Sequence, residues 1–312
     1  MTNTSKPRPL LAIVLLFTLP ILLGALIAPP VFNGLRALGE HTEALPKLTE
    51  ARFEKVTSRL VTIIAALILI PVARRTGLIP EIRAALGGFS THRRILLSSL
   101  ALGLLSMTAV YGFGWWMDAF FVSPKYKGPG SLAVHLLEFT AGALLIGLLE
   151  EIFFRGLVFG AMRQRLGWVR AALLSSAIFS AIHFFRPRLP APIEVATWYD
   201  GLALIPHMFA LFVWPRDAIF AATLFVMGVT LCADYHKRGH LYGVIGLHAG
   251  WVLAMLTGSH LFNRHREVLP WLIGHSDTLT KGFLALGVIV LFLIAALRRR
   301  KAPSIPPTTT PS

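Results

Sequence analysis

Charge is scarce in this chain: Asp, Glu, Lys and Arg together make up 14% of 312 residues, against 55% hydrophobic residues. Soluble domains carry about 25% charged residues, and the shortfall here comes from long runs with no charge at all, such as Pro9 to Leu35 and Ile95 to Met117. A membrane helix needs roughly 20 mainly apolar residues, so these runs exclude an ordinary soluble domain. Cysteine is almost absent. The single Cys232 excludes an intrachain disulfide and any cysteine-based metal site, and its apolar neighbours make it a packing residue. Acidic residues are outnumbered two to one, 15 against 30 basic, for a net charge of +15.

A strong positive charge invites a nucleic-acid reading, but its placement opposes one. The basic residues fall in short groups at the ends of apolar runs: Arg74-Arg75, Arg93-Arg94, Lys237-Arg238 and Arg298 to Lys301. Such residues reach the membrane interface and set orientation through the cytoplasmic excess of Lys and Arg. The partner they imply is a lipid bilayer, not nucleic acid.

Eight spans are expected, at about 10–28, 57–73, 95–117, 139–162, 169–186, 217–234, 240–258 and 281–298. The fold class is therefore all-α, a polytopic transmembrane bundle. The second span is the shortest and relies on flanking arginines to reach the interface. A ninth apolar stretch, Gly201 to Pro215, is interrupted by Pro206 and His207 and reads as re-entrant. The stretch starting at Leu10 is too long for a signal-peptide core and reads as a first anchor. An even number of spans puts both termini on one side, and the basic bias makes that side cytoplasmic. No internal repeat is present. The chain divides into membrane helices at 1–130, a core at 131–260, a loop and last span at 261–301, and a Pro/Thr-rich tail at 302–312 expected to be disordered.

Chemistry is carried by polar residues inside the apolar spans, where a charge costs about 2.5–3.5 kcal/mol on insertion scales and usually serves a function. Three groups stand out. In Glu150-Glu151-Ile152-Phe153-Phe154-Arg155-Gly156, apolar sequence continues on both sides, and Glu151 and Arg155 are i,i+4 neighbours able to pair. Glu150 then points about 100° away, towards another face. In Phe179-Ser180-Ala181-Ile182-His183, Phe179 and His183 share a helix face among small residues that permit close packing. In His248-Ala249-Gly250-Trp251-Val252, the small pair after the histidine again permits close backbone approach. The plain alternative for the first group is an interfacial ion pair, the less favoured reading of that motif, whereas either histidine alone reads more simply as packed.

Depth joins them. With a turn at Gln164 to Gly167, Glu150 and His183 lie roughly 24 and 26 Å along two antiparallel helices, and His248 roughly 15 Å into its own. A carboxylate and two imidazoles are thus expected at a common level. A carboxylate shielded from water loses its preference for the charged form and becomes a usable base near neutrality.

The order Glu-Glu-x-x-x-Arg, Phe-x-x-x-His and a later histidine resembles the CPBP family of intramembrane endopeptidases, over about residues 133–260. That family includes type II CAAX prenyl proteases and lysostaphin-resistance-like, or Abi, proteins. The resemblance implies an eight-helix fold in a bacterial plasma membrane and hydrolysis of peptide bonds in membrane-anchored proteins or peptides. It implies that Glu150 and His183 activate water and His248 stabilises the oxyanion, with Glu151 and Arg155 bracing the helix. Many relatives carry His-x-x-x-Asn in the third motif; here Val252 stands in the Asn position and cannot donate, which makes the Trp251 indole a candidate substitute. Zinc held by Glu150, His183 and His248 is chemically open. A metal-free, glutamate-activated water is favoured because the helical His-Glu-x-x-His signature is missing. Two rival classes are a proton-coupled transporter, with Asp217, Asp234 and His236 flanking span six, and an inactive membrane scaffold. The segment from Arg186 to Arg216 is expected to gate substrate entry.

Overall fold

The computed structural model describes residues 9–42, 48–185, 187–189, 191–208, 212–276 and 279–300; the tail at 302–312 lies outside them. Almost everything described is helical, in the order α1 (Pro9–His41), α2 (Phe53–Thr76), α3 (Ile79–Ala85), α4 (Phe89–Trp116), α5 (Pro129–Glu151), a π-helical segment (Ile152–Phe159), α6 (Gly160–Ile182), α7 (Asp200–Ala203), α8 (Ala218–Arg238), α9 (Tyr242–Leu261), α10 (Pro270–Ile273) and α11 (Phe283–Arg298). The only strands among the described residues are β1 (Phe120–Val122) and β2 (Phe262–Arg264), paired antiparallel. The chain is an all-α membrane protein.

Six helical stretches are long and apolar enough to cross a bilayer, and the shorter α11 is apolar as well. One of the six, Pro129–Ile182, contains two expected spans and is broken at Gly167, whose φ of 74° and ψ of 166° no helix contains. Glycine adopts that backbone without the Cβ clash that other residues would meet. Each of the eight expected segments thus overlaps a helix, the fifth only as far as Ile182. The Gly201 to Pro215 stretch supplies α7 and a 3₁₀ turn at Ile205–His207, and no spanning helix among its described residues.

The chain forms two compact units that interleave along the sequence: residues 1–79 with 181–214, and residues 80–180 with 215–312. In the first, α1 packs on α2 around Ala28, Phe32, Phe53, Val56, Ala196 and Leu204. Part of the Arg186 to Arg216 segment is pinned there: the Asn33 amide donates to the Ala196 carbonyl and accepts from its N–H, at 2.8 and 2.9 Å.

In the second unit α9 is the central element, packed on α4, α5 and α8. Lipid-embedded helices gain little from hydrophobic burial and associate through close packing of small residues. Here a Cβ on Gly250 would sit 2.2 Å from the Leu100 carbonyl oxygen, and one on Gly246 2.2 Å from that of Leu96. The α4 and α9 backbones therefore touch, and this contact fixes the rotation of α9 and the side to which His248 points.

The basic turns gather at one end of this unit. The Leu241 N–H donates to the Ala85 carbonyl at 3.0 Å, Tyr242 donates to the Leu86 carbonyl, and Trp168 stacks on His236 with ring centres 4.9 Å apart. At the other end lie β1 and β2, with the buried Arg264 donating to the carbonyls of Gly274 at 2.8 Å and Ala119 at 3.0 Å. Alternating ends of successive spans are what the hydropathy pattern requires.

Candidate active site

The two glutamates end α5 where its backbone passes into the π-helical segment. π-Helical turns are rare and frequently occur at functional sites. Phe154 to Met162 are all buried, a run that starts in this segment and continues into the first turn of α6. Gly147, one turn before Glu151, brings α5 against α9: a Cβ there would meet the Ile245 carbonyl oxygen at 3.0 Å and the Ala249 Cβ at 3.2 Å.

Glu151 is fully buried and Arg155 is 1% exposed, and the two pair at 2.9 Å between Oε1 and Nη1. The same Oε1 meets Nδ1 of His248, from α9, at 2.7 Å. Against an ionised carboxylate Nδ1 carries a hydrogen and donates it. The arrangement resembles the carboxylate partners that orient histidines in other hydrolases. The other ring nitrogen, Nε2, lies 3.9 Å from Oε2 of Glu150, too far for a hydrogen bond. Glu150, with a side chain one-third exposed, and His248 therefore flank a common point instead of bonding each other.

Aromatic rings close the cluster. Phe179 of α6 meets His248 edge-on with centres 6.2 Å apart, and the Arg155 guanidinium lies 4.8 Å from the Phe179 ring centre. A cation over a ring face is stabilised by the ring quadrupole, most strongly away from water. Phe154 packs edge-on against Phe179 at 5.0 Å. The Trp251 indole N–H donates to Ser106 Oγ at 3.2 Å, and its ring meets Phe292 of α11. That donor is thus engaged with α4, a partner no sequence pattern indicated. Val252 is partly buried, one turn along α9 from His248.

His183 stands one residue beyond the end of α6, partly buried in a turn, and belongs to the other compact unit. Among the described residues no three His, Cys, Asp or Glu side chains form a ligand set for a metal ion. Glu151 Oε1 is already shared by Arg155 and His248, which leaves that oxygen committed to positioning. The groups suggested for a proton relay are engaged at the helix ends: Asp217 with Arg216 and Lys281, and Asp234 with Arg238 and Arg299.

One comparison with known proteins gives a match. Residues 132–254 match the family model described as type II CAAX prenyl endopeptidase Rce1-like. No curated protein and no solved structure matches the chain. The matched stretch begins in α5 and ends in α9, and so contains Glu150, Glu151, Arg155, Phe179, His183 and His248. With the acidic pair and the later histidine both inside that match, the segment is similar to Rce1-like endopeptidases, which supports a CPBP-type intramembrane protease.

Proposed function

We propose that the chain hydrolyses peptide bonds of membrane-anchored proteins or peptides, with Glu150 as the general base that takes the proton from the attacking water. The observation that carries this reading is the approach of a buried carboxylate oxygen, Glu150 Oε2, on a side chain one-third exposed, to an oriented imidazole at His248 Nε2, 3.9 Å away. A base and an oxyanion donor must lie on either side of the reacting carbonyl carbon without consuming each other.

Glu151 and Arg155 are positioning residues. Glu151 holds the His248 ring through Nδ1, and the role assigned to His248 is donation from Nε2–H to the oxyanion that develops on the substrate. Such a donor is commonly worth about 3–4 kcal/mol of transition-state stabilisation. When the C–N bond breaks, the proton held on Glu150 passes to the leaving amine. A share for His183 in water activation rests on the motif resemblance alone; it requires that His183→Ala abolish cleavage in a protein that still folds in detergent. No step requires a metal ion.

Membrane proteomics of host cells carrying wild type or Glu150→Gln tests the reading and identifies substrates. Precursors of anchored proteins accumulate with the variant if the reading holds, and identical proteomes count against it. Reconstituted in liposomes, the protein cleaves an anchored peptide after exhaustive chelation; loss of cleavage restored by zinc would overturn the metal-free mechanism. Proton-driven solute uptake without cleavage would favour the transporter class instead.

A further inference from the structure

On the face of α9 away from Glu150, a half-open cavity of about 240 Å³ lies among α4, α8, α9 and α11. Its walls are apolar, formed chiefly by Leu102, Leu247, Leu291 and Phe292, and its rim carries Arg238 and Arg299. Both guanidiniums share one carboxylate: Arg238 Nε meets Asp234 Oδ2 at 2.7 Å, and Arg299 Nε meets Asp234 Oδ1 at 3.2 Å. Each arginine uses its Nε edge on Asp234, and the rim keeps one uncompensated positive charge.

The walls belong to α4, α8 and α9, each long and apolar enough to cross a bilayer, and to the shorter apolar α11, while the arginines sit at the carboxy-terminal ends of α8 and α11. An apolar cleft at bilayer depth with a cationic rim at the interface complements an amphiphile of opposite charge. The volume is below the roughly 300–1,000 Å³ of pockets that enclose whole drug-sized ligands. It suits part of one acyl chain.

We propose that this cleft is a binding site for a single anionic phospholipid, with an acyl chain between α4 and α11 and its phosphate on Arg238 and Arg299. Helix carboxy termini repel anions, so the two guanidiniums, not the backbone, must supply the attraction. The same two guanidiniums also act on His240, on the turn between α8 and α9. Burial first, and then His92, Arg238 and Arg299, push its imidazole down to about 4.

The cleft is independent of the hydrolytic centre. It adjoins α9 through Leu247, the residue before His248, and α11 through Phe292, which packs on Trp251.

The test is native mass spectrometry of the delipidated full-length protein in detergent, titrated with phosphatidylglycerol, with phosphatidylcholine of the same chains, and with glycerol 3-phosphate. Wild type should retain one phosphatidylglycerol about tenfold more tightly than phosphatidylcholine, and glycerol 3-phosphate should not bind. Arg299→Gln should reduce retention roughly fivefold, the share of one basic residue near an anionic surface. This variant keeps the Arg238–Asp234 pair, and the Arg299 side chain is 42% exposed, so the fold should survive. Ala295→Trp or Leu291→Trp, each filling the cleft from α11, should abolish retention. Equal binding of both phospholipids, tight binding of glycerol 3-phosphate, or wild-type retention by the Arg299 and filled-cleft variants would each overturn the proposal.

Discussion

Replacing Glu151 by Gln removes a charge that two buried partners share while keeping the side chain's shape. In the wild type, Oε1 accepts from Arg155 at 2.9 Å and from His248 at 2.7 Å, and the carboxylate is wholly inaccessible to solvent. Hydrogen bonds to charged groups contribute about 1.5–3 kcal/mol each. The amide oxygen can keep one of them in weakened form, but Arg155 is then left buried at 1% exposure without a counter-charge. Removing one partner of a buried pair costs about 3–5 kcal/mol, a large part of the roughly 5–15 kcal/mol that holds a protein folded. Thermal or denaturant unfolding in detergent should show a loss of that size. Glu151→Gln combined with Arg155→Met should recover about 2–3 kcal/mol, since no orphan charge remains. Cleavage should not recover, because His248 Nδ1 still lacks its carboxylate. Additive losses in the double variant, or wild-type stability in Glu151→Gln, would refute the shared-charge argument.

Other consequences follow from the packing. Gly250→Leu should cost about 1–3 kcal/mol or more, as overpacked cores do, because a side chain there meets the Leu100 carbonyl; an unchanged melting temperature would mean that α4 and α9 do not touch. His240, pushed down to about 4, should titrate well below a free histidine by NMR, and Arg299→Gln should move its midpoint upward. Because the folded form favours neutral His240, its stability contribution is complete above about pH 6.5 and is lost as pH falls from there towards 4; stability that rises on acidification through this range would contradict the assignment. Val252→Asn should raise the cleavage rate by supplying a second oxyanion donor, by up to the 10²–10³ that one such donor is worth; a rate no higher than wild type would show that this position does not face the reacting carbonyl.

Much of this architecture was legible in the sequence because charge-free runs and bilayer thickness leave a chain few choices. The Glu151–Arg155 pair was legible too, since i,i+4 spacing puts the two side chains together on any helix. The partnership of Glu151 with His248 was not. It depends on how α9 is rotated against α4 and α5, which Gly246 and Gly250 decide through a backbone contact with no signature beyond their spacing. The π-helical segment that follows the acidic pair likewise has no composition of its own. Equal-depth arithmetic treated the second half of α6 as running past His183, whereas the helix stops at Ile182. The interleaving of the two units arises from packing between segments distant in sequence, which local patterns do not encode.

The most direct trial of the hydrolytic centre is the cleavage rate of an anchored peptide in liposomes by wild type and Glu150→Gln, with unfolding followed on the same samples. Glu150 is partly exposed and holds no short ion pair, unlike Glu151, so its amide variant should melt like wild type. The account predicts that this variant stays folded and cleaves nothing above background. A folded Glu150→Gln protein that turns over substrate at the wild-type rate would contradict it.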